Sequence, residues 1–364
     1  MLIFDASNQE LLQKYLCPWN PEVLHLRGEQ INILVLLASL FRKDRGSQAY
    51  IDCFIERVRP RLIVTFIDNY IGFYSVAIRH KNVKTIFVQN GIRGPEIFEQ
   101  LDRARQSQYS LKVDYMLTFG SRIGIEYAKY LQGTVVPMGS IKNNMIPRCQ
   151  AKRVGTIAFV SQYMNTDGFM WGGTYRTRQE FYEQADKLVL GFLVKYAKKH
   201  GKELFIIPCR AYCRDNTLDM ETAYYNQLLG QSCYFSEWHW HGSSYESVDI
   251  AEVVVSIDST LGYESASRGN KTAIFSIRTQ ILSAPGRNYG WPGVYRDEGP
   301  FWTNRPDPAI FERVLDHLFS MQEEQWRVLL DREGFSNIMA YDPDNSIFKS
   351  ILRKELAPEP GVIH

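Results

Sequence analysis

No apolar run in this chain is long enough to cross a bilayer. The longest, Ile31 to Phe41, is about half of the roughly 20 residues that a spanning helix needs, and it reads as a buried helix. Met1 to Asp5 carries no basic region and too short an apolar stretch for a secretory signal. The six cysteines, at 17, 53, 149, 209, 213 and 233, form no C-x-x-C pair and no zinc spacing. Cys209 and Cys213 flank Arg210 without a second pair, which suggests reduced thiols in a cytoplasmic protein. A formal net charge of only +2, with no long Lys/Arg block, argues against a nucleic-acid partner. Repeats and low-complexity tracts are also missing.

What is present is an ordinary globular composition, 45% hydrophobic and 23% charged, over 364 residues. That length exceeds what one compact core usually supports, so two domains are expected. Aromatics reach 13%, including 21 Tyr and 7 Trp. Such rings can stack on sugars or bases, but most of them are expected to fill cores.

Strand and helix signals alternate through the first half. Strands are expected at Met1 to Phe4, Arg61 to Phe66, Lys84 to Val88, Tyr115 to Phe119 and Thr134 to Pro137, with helices between them. The strand ends carry Asp68-Asn69, Gln89-Asn90-Gly91 and Gly120-Ser121, which describes a parallel sheet with a crevice at its carboxyl edge. Periodicity lapses from Lys142 to Arg153, a linker. It resumes with strands at Gly155 to Val160, Glu203 to Ile207, Val253 to Ile257 and from Thr272, and with a long helix from Gln179 to His200. The expected organisation is an α/β fold with one Rossmann-like domain over 1–145, a second over 154–340, and a C-terminal tail over 341–364.

The most informative segment is Val253 to Arg278. A buried strand runs into Asp258-Ser259-Thr260 and then a helix through Arg268. The first N–H groups of such a helix point above the sheet, and its dipole favours an anion there. Ser259 and Thr260 can cap the helix while offering hydroxyls to a phosphate. Gly262 would keep the backbone approachable, and Glu264, one turn in, would suit a ribose diol. The plainer reading is an ordinary strand–cap–helix unit.

Two such halves, with a phosphate-type turn in the second, resemble GT-B glycosyltransferases. The runs Phe66-Ile67-Asp68-Asn69, Gln89-Asn90-Gly91-Ile92-Arg93-Gly94 and Asp258-Ser259-Thr260-Leu261-Gly262-Tyr263-Glu264 are similar to bacterial O-antigen and capsule biosynthesis proteins. Those are distantly akin to CDP-glycerol glycerophosphotransferases and to transferases that use CMP-activated 3-deoxy-octulosonic acid. The resemblance covers roughly residues 60–280. One departure is Pro208-Cys209-Arg210, where related families often carry His-Pro, so a phosphate-binding role falls on Arg210 or a neighbouring cation.

The resemblance implies a cleft between the two domains, with the donor on the second and the acceptor on the first. Ser259, Thr260, Gly262, Glu264 and Arg210 would bind the donor; Asn90, Arg93 and Arg176 would serve the acceptor or line the cleft. Asp68 would act as general base or as nucleophile, and His241 would contact the donor phosphate; Asp68 as a helix N-cap is the plainer alternative. The Gly-rich stretch around Arg176 has the composition of a lid. His239 and His241 lack a third metal ligand, and no Asp-x-Asp pair stands at a strand end, so neither a metal nor a cofactor is expected. The implied function is transfer of a sugar from a nucleotide-activated donor to a surface polysaccharide or lipopolysaccharide glycan, with possible peripheral association at the inner membrane face. The rivals are transfer of a phosphorylated group such as glycerol phosphate or phosphoribose, a sugar-nucleotide 2-epimerase, and a non-catalytic nucleotide- or glycan-binding module.

Overall fold

The computed structural model describes residues 1–42, 46–107, 110–171, 174–209, 217–237, 239, 242–283 and 286–357. The chain divides into two compact units. The first comprises Met1–Gly91, Ile97–Met145 and the residues from Asp342 onward; the second comprises Ile92–Glu96 and Ile146–Tyr341.

The first unit is built on six strands: β1 (Leu2–Phe4), β2 (Glu22–Leu24), β3 (Leu62–Thr65), β4 (Lys84–Val88), β5 (Lys112–Thr118) and β6 (Gln132–Pro137). They lie in the order β2-β1-β3-β4-β5-β6, and every pairing is parallel. Runs such as Leu62-Ile63-Val64 are fully buried, as a sheet covered on both faces requires. Ile3, Val64, Ile86, Val88 and Leu117 form one core with Leu12 and Leu16 of the helix Gln9–Leu16.

Residues 342–357, expected as part of a tail, are packed into this unit. Ser346–Leu356 is a helix whose Phe348 and Leu352, one turn apart, are buried in that same core. Asn345 ties its start down, donating to the Tyr15 hydroxyl at 2.7 Å and to the Ile141 carbonyl at 3.0 Å.

A second departure concerns the apolar run from Ile31. Its helix, Ile33–Leu40, is capped by Asn32, whose Oδ1 accepts from the Val35 N–H at 3.2 Å. Only Val35 and Ser39 are buried, while Ile33, Leu34, Leu36, Leu37, Leu40 and the following Phe41 are exposed. Val35 and Ser39 lie one turn apart, so the helix rests on the unit by a narrow stripe and turns its leucines outward.

The second unit holds β7 (Arg153–Val160), β8 (Gly168–Trp171), β9 (Thr174–Thr177), β10 (Glu203–Ile207), β11 (Ala251–Ser256), β12 (Thr272–Phe275) and β13 (Trp302–Thr303). Five of these make a parallel sheet in the order β10-β7-β11-β12-β13, and β8 and β9 pair as an antiparallel hairpin. That hairpin occupies the Gly-rich stretch expected as a lid; Gly172 and Gly173 lie outside the described residues. The expected linker belongs to this unit from Ile146 onward. Buried Arg268 donates to the Ile146 and Pro147 carbonyls at 2.9 and 3.1 Å and to Asp249 at 2.6 and 3.0 Å.

Candidate functional site

In the second unit, β7, β11 and β12 place their carboxyl ends side by side. β11 passes through Ile257 and Asp258 into the helix Thr260–Ser267, with Ser259 as N-cap in extended conformation. Ser259 Oγ accepts from the Leu261 N–H at 3.3 Å, satisfying one donor that a helix start leaves over. Thr260 Oγ1 accepts from the Ile92 N–H of the same unit at 3.3 Å. Both residues are half-buried rather than sealed.

Gly262 serves packing. A Cβ there would lie 2.3 Å from Ser256 Cβ and 2.4 Å from Ser256 Oγ, so the helix can approach β11 this closely only without a side chain. The openness to ligand expected of Gly262 is thus taken up by its own strand. Glu264 is buried, and its Oε2 accepts from the Tyr245 hydroxyl at 3.1 Å, so its carboxylate faces a protein donor.

Beneath the turn lies an ionic cluster. Arg278, fully buried just past β12, donates to Asp258 Oδ1, to Gln162 Oε1 at 2.6 Å, to Asp186 Oδ1 at 3.3 Å and to the Phe181 carbonyl at 3.1 Å. Asp186 Oδ2 also accepts from the Tyr224 and Tyr225 hydroxyls at 3.2 and 3.3 Å. Burial drives the Asp186 carboxyl up to about 6, against the pull of Arg278. Burial works against the Arg278 charge as well, yet Asp258 and Asp186 outweigh it and hold the guanidinium above its usual range. Burial also lifts the nearby Tyr182 hydroxyl to about 12. Among the described residues Asp258 Oδ2 has no hydrogen-bond partner; the Arg287 guanidinium stands 4.0 Å away, partly exposed, 5.7 Å from the Phe181 ring centre. The cluster fixes Asp258, and with it the turn that presents Ser259 and Thr260.

Arg176 lies on β9, half-buried, with Nη2 3.5 Å from the Leu282 carbonyl and a buried Nε that has no hydrogen-bond partner among the described residues. Arg210 and His241 lie outside the described residues. His239 is exposed, and its Nε2 is 3.1 Å from Glu237. Arg93 is half-buried on the Ile92–Glu96 segment, which packs Pro95 against Gly286 in the same unit.

In the first unit Asp68 is fully buried. Its Oδ1 accepts from the Asn90 N–H at 3.3 Å, its Oδ2 from the Tyr127 hydroxyl at 2.7 Å, and its carbonyl from the Tyr74 hydroxyl. Asn90 Nδ2 returns a bond to the Phe66 carbonyl at 2.8 Å. Gln89 adds the next link, accepting from the Phe119 N–H at 2.8 Å and donating to the Gly91 carbonyl at 2.9 Å. Asp68, Asn90 and Gln89 therefore lock the ends of β3, β4 and β5 together. Burial keeps the carboxylate of Asp68, expected as a general base or nucleophile, away from solvent. The plainer expectation of a helix cap is not met: the next turn, Ile71–Ser75, is preceded by Tyr70 with no side-chain bond.

The sequence shows Asp258 only as a turn residue, and it gives no sign of the part played by Arg278, Asp186, Gln162 and Arg287. The one available signal was an Arg following an apolar strand, which in sequence looks like any surface cation.

Comparison with known proteins places this geometry. A family model described as "putative O-antigen biosynthesis protein" matches residues 86–356. No curated protein matches the sequence. Among solved structures, the wall teichoic acid polymerase TagF soaked with CDPG is 11% identical, covering 97% of this chain and 88% of its own, with a TM-score of 0.50. A UDP-GlcNAc 2-epimerase from Neisseria meningitidis bound to UDP-GlcNAc is 10% identical over 98% of this chain and 90% of its own, also at 0.50. A glycosyltransferase from Rickettsia africae ESF-5 gives the same four values. At such identities the likeness is one of fold, and that fold is GT-B-like.

Proposed function

The chain belongs to this O-antigen biosynthesis family, and from that premise we propose that it is a glycosyltransferase that takes its sugar from a nucleotide-activated donor. The observation that carries the reading is the turn at the end of β11, where Ser259 caps an eight-residue helix and Thr260 offers a second hydroxyl, over an Asp258 clamped by Arg278. A helix start of this kind attracts a phosphate through its N–H groups and dipole. Arg287 beside Asp258 supplies a cation, and Arg210 follows β10 in sequence, a strand separated from β11 by β7. In this reading the phosphate charge is met by helix, hydroxyls and arginines, without a metal and without a cofactor. The acceptor, a growing surface glycan, is served by the first unit. Asp68 acts there by positioning Asn90, not by touching the acceptor. Peripheral contact with the inner membrane face belongs to the same reading.

The test is a thermal-shift screen of the full chain against CMP, CDP, UDP, GDP, dTDP, ADP and phosphoribosyl pyrophosphate. A ligand that binds only the native state raises the melting temperature according to its affinity. A selective rise with one nucleoside diphosphate, or with CMP, supports the sugar-donor reading. A rise with phosphoribosyl pyrophosphate alone redirects it to transfer of a phosphorylated group. No rise with any of them overturns it.

A further inference from the structure

The second unit carries a cavity of about 230 Å³ at the amino edge of its sheet, the edge opposite the Ser259 turn. Lys152, Glu252 and Lys271 line it from the starts of β7, β11 and β12. Phe319, Gln322 and Glu323 line it from the corner between the helices Pro308–Ser320 and Glu323–Arg332.

The two lysines are held differently. Lys271 Nζ donates to the Met321 carbonyl at 3.2 Å and stands 3.6 Å from Glu252 Oε1, its counterion. Lys152 is half-buried, and its Nζ donates to the Ala251 carbonyl at 3.1 Å and to Asn270 Oδ1 at 2.9 Å. Both acceptors are neutral, and among the described residues Lys152 forms no ion pair. Lysines withdrawn from water ordinarily take a carboxylate. The charges around this one are Arg148, Lys271, Asp249, Glu252 and Glu323, and Asp249 is already paired with the buried Arg268. Burial foremost, and then Arg148, bring the Lys152 ammonium down to about 8 against the pull of Asp249 and Glu323.

The arrangement suits the neutral amine. An ammonium has three N–H groups, whereas the amine has two and a lone pair in the third position. The Ala251 and Asn270 oxygens take two N–H groups, which leaves the third position to the lone pair on a side chain that lines a cavity. A lysine desolvated beside other cations is a nucleophile.

We infer that this cavity is an acylation site, in which Lys152 Nζ takes a small acyl group from an acyl phosphate or an acyl thioester. The lone pair attacks the acyl carbonyl carbon and a C–N bond forms. The bond from that carbon to the phosphate oxygen or thiolate sulfur breaks, and the amine proton leaves with the displaced group. The acylated nitrogen keeps a single N–H and cannot serve both oxygens. Modification therefore loosens the chain of bonds from Lys152 through Asn270 to Asp249, whose Oδ1 accepts from Asn270 Nδ2 at 2.8 Å. The inference is independent of the sugar donor.

The experiment incubates the full chain with acetyl phosphate at about pH 7.4 and, in a parallel arm, with acetyl-CoA, and follows each lysine by peptide mass mapping. Lys152 should acquire the acetyl group at least about tenfold faster than the exposed Lys195 and Lys198, with a rate that levels off above about pH 8. An ordinary lysine keeps gaining reactivity up to its usual value of about 10.4. Arg148→Gln removes a neighbouring cation and should slow Lys152 without changing Lys198. Unfolding the chain in urea should abolish the difference between the lysines. Rapid labelling in either arm supports the site and names its acyl donor as phosphate or thioester. A Lys152 labelled no faster than Lys198 in both arms overturns the inference, and so does an advantage that persists in the unfolded chain.

Discussion

Arg278 and Asp258 form an ion pair sealed inside the second unit, with side-chain exposures of 0 and 5%. The pair joins the carboxyl ends of two neighbouring strands, and Asp258 is the residue immediately before the helix cap Ser259. Arg278→Met should leave Asp258 and Asp186 buried without their cation, a loss of about 3–5 kcal/mol. For a unit of this size that corresponds to a melting temperature lower by roughly 6–20 °C. Scanning calorimetry reads this directly, and a drop under about 2 °C would show that the cluster is held by other means.

Asp186 makes stability depend on pH. Its folded carboxyl titrates near 6, above its ordinary value of 3.8, because burial disfavours the charge. Between those values the folded chain holds a proton that the unfolded chain has released, so stability falls as pH rises through the window. The contribution is fully present below about pH 4 and lost above about pH 6, on the order of 2–3 kcal/mol at most. Asp186→Asn carries no titrating group and should lack this slope. Urea midpoints of both proteins from pH 4 to pH 7.5 check it, and parallel curves would refute it.

Gly262 separates architecture from ligand contact. Gly262→Ala forces a Cβ into Ser256 and should cost about 1–3 kcal/mol through displacement of the helix from β11. Because the helix start moves with it, nucleotide affinity and stability should fall together. A stable Gly262→Ala protein with normal nucleotide binding would mean that the helix position is not what the ligand reads.

Much of the framework is legible in sequence because buried parallel strands are short β-branched runs, and Lys84–Val88 and Glu203–Ile207 fall where their composition puts them. β2 and β13 are not legible, since Glu22-Val23-Leu24 and Trp302-Thr303 are too short to carry a period. The helix Ile33–Leu40 reads as core because hydropathy registers apolarity and not the direction in which it faces. The residues after 341 read as a C-terminal tail because the chain turns Pro-rich after Glu355, although Phe348 and Leu352 have the spacing of a packed helix. At the site, Ser259 follows from the rules for helix starts. Arg278 does not, because a buried cation is recognised only by the carboxylates the fold brings to it, and Asp186 and Asp258 are far from it and from each other along the chain.

The central claim is that a nucleotide donor binds at the Ser259–Thr260 turn. Its most direct test is calorimetric titration of the nucleotide that raises the melting temperature most, into the native chain and into Ser259→Ala/Thr260→Ala. Loss of the Ser259 cap alone should cost about 1 kcal/mol of stability, so the variant remains folded. The account predicts affinity at least about tenfold weaker in the variant, a difference of about 1.4 kcal/mol. Equal affinity in the two proteins would contradict it and place the nucleotide elsewhere.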